Sequence, residues 1–197
     1  MKSSVLMFVA LVFCASFILL QLNCSTQDEK KVMTKDEMIA RGKYLTTIAG
    51  CNDCHTPKIM TEMGPMPDTS RLLSGQPANE SNYAIDPNVV GPGKWMLTNG
   101  HLASWVGPWG ISYSANLTPD NATGLGAVSE EMFIKTLREG KLKGVGRPLL
   151  PPMPWPNFAQ MTDDDLKSIY AYLRTIKPIN NPVPLPVPPD MLASMNK

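Results

Sequence analysis

Cys51-Asn52-Asp53-Cys54-His55 restricts this chain more than any other segment. Two thiols separated by two residues and followed at once by an imidazole form the CxxCH pattern of covalent c-type haem attachment. The chemistry asks for this spacing. The two Cys residues reach the two vinyl groups of one macrocycle, and the next residue offers a His to the iron from the proximal side. Other readings of the same residues are poorer. A Cys-x-x-Cys redox pair belongs in a βαβ setting, and no such pattern surrounds it. A structural zinc takes four ligands. Beyond Cys51, Cys54 and His55, the chain after residue 23 offers only His101 and Cys24. One CxxCH motif implies one covalent haem c.

Charge and composition remove other classes. Lys and Arg number 18 against 17 Asp and Glu, which leaves no basic footprint for nucleic acid and no polybasic membrane patch. The 197 residues hold 19 Pro, and only 18% of residues are charged. A coiled coil or a regular bundle throughout does not fit that composition.

The N-terminus reads as an address. Lys2 precedes an apolar run of 16 residues, 5–20, which suits a secretory signal peptide better than a spanning helix of about 20 residues. An uncleaved anchor is the alternative. Cys24 ends the run and resembles a bacterial lipoprotein cleavage site, where the new N-terminal Cys is acylated. Gln21 and Asn23 depart from the usual residues there. The expected organisation is a signal peptide over 1–23, a lipid-anchored tether over 24–33, a main domain over 34–178 and a Pro-rich tail over 179–197. Cys14 would leave with the signal, so no pair of Cys remains for a disulfide.

Three helices announce themselves. Thr34 with Glu37 three residues later forms a capping box, and Met38, Ile39, Gly42, Leu45 and Ile48 follow helical spacing. That helix should run from about 35 to 49 and stop at Gly50. Ser129-Glu130-Glu131 opens a second, with Phe133, Ile134 and Leu137 apolar and Gly140 as stop. Thr162 opens a third, with three Asp in its first turn, an apolar face of Leu166, Ile169, Tyr170 and Leu173, and Pro178 beyond its end.

Helix, CxxCH, loop, helix, Met loop and helix together resemble the class I cytochrome c family. The resemblance implies an all-α, cytochrome c-like helical fold around one covalent haem, here with a long irregular insertion. It also implies that the first and last helices cross through a Gly against an aromatic residue, for which Gly42 and Tyr170 are the candidates. Class I members take the distal iron ligand from the loop before the last helix, which makes Met153 the leading candidate beside His55. Five of the nine residues 148–156 are Pro, and a stiff loop limits the entropy of the ligand-open state. Met161, directly before the Thr162 cap, is the second candidate, and His101 or an open site the third.

Asn116-Leu117-Thr118-Pro119-Asp120, Thr123-Gly124-Leu125-Gly126, Pro151-Pro152-Met153-Pro154-Trp155 and Met161-Thr162-Asp163-Asp164-Asp165-Leu166 are similar to stretches in bacterial cytochromes. Relatives of that kind occur as haem subunits of membrane-bound dehydrogenases and as stand-alone carriers. The resemblance covers about residues 38–185. It implies one-electron transfer, with no catalytic residue, on the periplasmic side of a bacterial membrane. The implied partners are a redox donor and acceptor, such as a dehydrogenase, a quinol-oxidising complex or a terminal oxidase, with the membrane reached through a lipid anchor. An open-site haem enzyme of peroxidase type and a gas sensor are the alternatives.

Residues 56–115 are the least readable. They hold seven Gly, seven Pro and three of the four Trp. The expectation is a packed flap: a cover over haem or a docking element on one reading, an insertion filling a satellite core on the other. Six Pro among residues 178–189 suggest an extended polyproline tail lying on the surface or linking outward.

Overall fold

The computed structural model describes residues 32–80, 84–86 and 88–192. The signal segment and Cys24 lie outside the described residues. The compact unit begins at Thr34.

Thr34 caps α1, Lys35–Ile48, with the full reciprocal box. Its hydroxyl accepts from the Glu37 amide at 3.2 Å, and the Glu37 carboxylate accepts from the Thr34 amide at 2.8 Å. Gly50, in the left-handed region at φ 69°, turns the chain straight into α2, Cys51–His55. The attachment motif is therefore a short helix of its own, set by the end of α1.

The segment that follows departs from expectation. Two small antiparallel sheets occupy it, so the all-α expectation is corrected to a mixed α and β architecture. β1, Lys58–Thr61, and β2, Gly64–Pro67, form a hairpin closed by Glu62-Met63. β3, Leu97–Thr98, β4, Ser104–Gly107, and β5, Gly110–Tyr113, form a sheet in the order β3-β4-β5. The many Gly and Pro read as irregularity in the sequence, yet several of them punctuate tight turns between very short strands. Pro108-Trp109, for example, closes the β4–β5 hairpin, in which Gly107 faces Gly110.

The remaining helices match their caps. Ser129 caps α3, Glu130–Glu139, and Gly140 ends it in the left-handed conformation at φ 64°. A one-turn helix α4, Trp155–Phe158, follows the proline-rich loop. Thr162 caps α5, Asp163–Leu173, through a hydroxyl that accepts from the Asp165 amide. Each such cap is worth about 1 kcal/mol. A final turn α6, Pro189–Leu192, closes the described chain.

Leu45 of α1, Phe133 and Leu137 of α3, Phe158 of α4, and Leu166, Ile169 and Leu173 of α5 make one core with Leu73 and Val128. Its tightest point is the crossing of α1 and α5. A Cβ on Gly42 would run into the Ser168 carbonyl oxygen and come within 2.8 Å of Tyr172 Cβ. Gly42 is thus the crossing residue, but the aromatic partner is Tyr172 rather than Tyr170. The Tyr170 ring packs on Phe133 with centroids 5.6 Å apart, and its hydroxyl donates to Val128 O at 2.8 Å. The two Tyr are two residues apart, about 200° around the helix, so only one of them faces the Gly. Arg41 on α1 pairs with Asp165 on α5 beside this crossing.

A second, smaller core joins Val90, Val106 and Ile111 to Ile85, Tyr113, Val187 and Leu192. The proline-rich tail is part of it. Val187 and Ile111 exchange backbone hydrogen bonds at 2.8 and 3.0 Å. The Asn181 side chain donates to Ser74 O and Gln76 O and accepts from the Ala78 amide.

Gly42→Ala is expected to destabilise the protein by about 3 kcal/mol, near the top of the usual overpacking range, because the obstacle is backbone. Gly100→Ala, with open space around the added carbon, should stay within about 0.5 kcal/mol of wild type. Denaturant midpoints compare the two.

Candidate haem-binding site

α2 puts Cys51 and Cys54 three residues apart, on one face of one helical turn. Neither is in a disulfide, and Cys51 packs against the main core. Burial pushes the Cys51 thiol up to about 11, with the Asp53 carboxylate adding to the rise. Cys54 is raised as well, first by burial and then by Asp53. A redox dithiol needs a depressed thiol pKa, and this environment does the opposite. Among the described residues no three His, Cys, Asp or Glu side chains gather as a metal-ligand group. Dithiol chemistry fits this environment poorly.

His55 is held for a different task. Its Nδ1–H donates to the backbone carbonyl of Ala115 at 2.8 Å, sixty residues along the chain. That bond fixes the ring's orientation and leaves Nε2 as the free lone pair. Desolvation lowers the imidazole pKa, the Ala115 bond opposes this, and the nearby Lys58 charge adds to the lowering. The result is a neutral, oriented ring, which is the form that binds metal. Two thiols on one helical face with a neutral His beside them suit a haem, and Cys51, Leu72, Leu117 and Met153 all pack against the main apolar core.

Met153 and Met161 both pack against the main core. Met153 sits in a tight local fold: its amide donates to Leu150 O at 3.3 Å and its carbonyl accepts from the Trp155 amide at 2.9 Å. Trp155 lies against Gly140, where a Cβ would run into the indole. From the other side, Ser112 of β5 donates its hydroxyl proton to Pro151 O at 2.5 Å.

His101 is committed elsewhere. Its Nδ1 accepts from the Lys58 amide at 3.0 Å, so Nε2 carries the proton that is donated to Glu80 at 2.6 Å. Arg71 pairs with both Glu80 and Asp68, and this network ties the start of β1 to the following loop. Hydrogen bonds from Ser70 and Arg71 hold the Asp68 carboxyl down at about 2.

Lys58 is the residue that the sequence reading missed. It is buried, and its ammonium donates to Asn52 O at 3.1 Å, to Asp53 O at 2.9 Å and to Thr56 O. All three donors of the lysine are used on carbonyls at the end of α2, where the helix dipole is negative. A cation three residues past a motif helix is a readable C-terminal signal in retrospect. Ala115 offers no such signal, because its contribution is a backbone oxygen.

No family model matches the chain. Individual proteins do. The fructose dehydrogenase cytochrome subunit of Gluconobacter japonicus is 33% identical over 161 residues, which is 80% of this chain and 26% of that protein. The cytochrome c subunit of the quinone alcohol dehydrogenase of Komagataeibacter europaeus is 39% identical over 146 residues, 74% of this chain and 23% of its own length. The gluconate 2-dehydrogenase cytochrome c subunit of Pantoea cypripedii is 33% identical over 137 residues, 70% of this chain and 23% of its own. The chain is homologous to cytochrome c subunits of dehydrogenases. As a cytochrome c homologue it spans only about a quarter of the length of these relatives.

Lys58→Met keeps the length of the side chain but takes the donor from Asp53 O and Thr56 O and leaves Asn52 O with the Thr56 amide alone. The expected loss is about 3 kcal/mol of stability, the upper range for unsatisfied buried groups, and a lower yield of haem-loaded protein. Denaturation midpoints and the haem-to-protein absorbance ratio measure the two effects.

Proposed function

We propose that this chain is a monohaem c-type cytochrome of class I that passes single electrons between redox proteins and is not itself a catalyst. The observation that carries the reading is the set Cys51, Cys54 and His55 on one short helix, with His55 Nδ1 bound to Ala115 O and Nε2 left for iron. The homology to cytochrome subunits supports it. Cys51 and Cys54 would hold the macrocycle by thioether bonds, and His55 and Met153 would be the axial ligands. A bound haem c supplies a one-electron iron couple.

The chain's own part is to keep the ligands in place and water away. The Ala115 carbonyl orients His55, and Lys58 closes the end of the attachment helix. The core around Leu166, Leu173 and Phe158 backs the site with apolar surface. Met/His ligation and burial both favour the reduced state, which raises the potential. The partners are a donor and an acceptor protein; dehydrogenases are the first candidates, with quinol-oxidising complexes and terminal oxidases next.

For location, the reading is export through residues 1–23 and acylation of Cys24, with residues 24–33 as a tether on the periplasmic side of a bacterial membrane. Among the described residues no helix is long and apolar enough to cross a membrane.

Acid-organic extraction should leave the haem colour on the protein, and the mass should rise by one haem. The oxidised protein should show the weak long-wavelength sulfur-to-iron band, and the reduced protein should resist carbon monoxide. Met153→Ala should abolish the band and admit carbon monoxide with haem still attached, while Met161→Ala should do neither. Ready carbon monoxide binding by wild type would instead favour an open-site enzyme or sensor.

Cys24→Ala should release the protein from the membrane fraction or leave it as an uncleaved precursor. Normal processing with unchanged membrane retention would remove the acylation reading.

A further inference from the structure

β5 and the residues just after it touch both sides of the proposed iron site. The Ala115 carbonyl accepts from His55, and the Ser112 hydroxyl donates to Pro151 O, two residues before Met153. Ser112 is buried, and its oxygen in turn accepts from the Trp109 indole N–H at 3.2 Å. With a lone pair occupied by Trp109, the single hydroxyl proton is directed to Pro151; the other acceptor in reach, Trp105 O, is 3.5 Å away.

The Met153 loop has reason to need an outside donor. Pro148, Pro151, Pro152, Pro154 and Pro156 have no backbone N–H. The loop therefore closes few hydrogen bonds of its own: Leu149 donates to Gly140 O, Met153 to Leu150 O, and Trp155 to Met153 O. The Met153 to Leu150 bond is long, at 3.3 Å. Between the first and second of these, Pro151 O is held by a side chain from the inserted sheet.

We infer that Ser112 is a positioning residue for Met153, and that the segment 56–115 serves to brace both proposed ligands from β5 and the two residues after it. The inference rests on Met153 being the distal ligand. Ser112 touches neither the ligand nor the iron. It fixes the carbonyl from which the ligand loop hangs, and so limits how often the sulfur swings away.

The test uses full-length, haem-loaded protein. Ser112→Ala should raise the open-loop population about tenfold, the size of effect one hydrogen bond supports. It should be read as faster carbon monoxide combination with reduced protein and as a weaker sulfur-to-iron band. Amide exchange at Met153 and Trp155 should quicken in parallel, while haem stays covalently attached. Ser112→Thr, which keeps the hydroxyl, should restore the wild-type rate. Thr61→Ala, which removes a side-chain bond to Gly64 O from the β1–β2 hairpin, should leave it unchanged. If Ser112→Ala yields no holoprotein, Trp109→Phe removes the N–H that orients the hydroxyl, together with the indole's outer ring beside Gly107, and should give a smaller shift of the same sign. A wild-type band with unchanged carbon monoxide rates in Ser112→Ala, or in Trp109→Phe where that variant stands in, overturns the inference and leaves Met153 as ligand. Absence of the band in wild type overturns the Met153 assignment itself. A drop in denaturation midpoint with unchanged carbon monoxide rates reduces Ser112 to a structural role.

Discussion

Gly42 lies close enough to Ser168 that no side chain fits between the two helices. This contact fixes the geometry at both ends of the site. α1 runs from the crossing into Gly50 and then into the attachment helix, so its angle sets where Cys51, Cys54 and His55 stand. α5 begins at Thr162, directly after the segment that carries Met153 and Met161. Packing density makes such a crossing insensitive to small forces. The segments that carry the proposed ligands are hung from a rigid pair, and the rest of the chain has only to orient them.

Orientation comes from long-range hydrogen bonds, mostly to backbone. His55 reaches Ala115, Tyr170 reaches Val128, and Arg174 reaches Leu125 O and Gly126 O. Arg138 reaches Ala159 O and the Asp163 carboxylate. These bonds tie each helix to the loop that precedes or faces it. The polar cluster of Gln76, Asn116, Thr118 and Asn181 does the same for the tail: Asn116 donates to Ile179 O at 2.8 Å while accepting from Thr118 at 2.7 Å. Buried polar groups so fully paired favour one arrangement over near alternatives.

The parts legible in the sequence were those whose cause is local. Thr34 with Glu37, Ser129 and Thr162 mark helix starts because a side-chain oxygen meets an amide two or three residues away. That Cys51, Cys54 and His55 share one short turn follows directly from their spacing. The strands were not legible, since β3 has two residues and the others four. No alternation can be read over so few positions, and the Gly and Pro between them mask the apolar pairs. The choice between Tyr170 and Tyr172 depends on helix phase at one contact, which the spacing of Leu166, Ile169 and Leu173 leaves open. The Ser112 and Ala115 contacts join residues far apart in sequence and carry no pattern at all.

The pairing of Ile111 with Val187 has a consequence for the order in which the molecule is built. Along the chain the CxxCH motif comes first, the acceptor carbonyl of Ala115 sixty residues later, the Met153 loop later still, and Val187 after that. Until that last stretch arrives, β5 has one edge uncovered and the small core around Val106 and Ile111 lacks two of its members. A chain cut before Val187 would keep its motif while the smaller core stayed open.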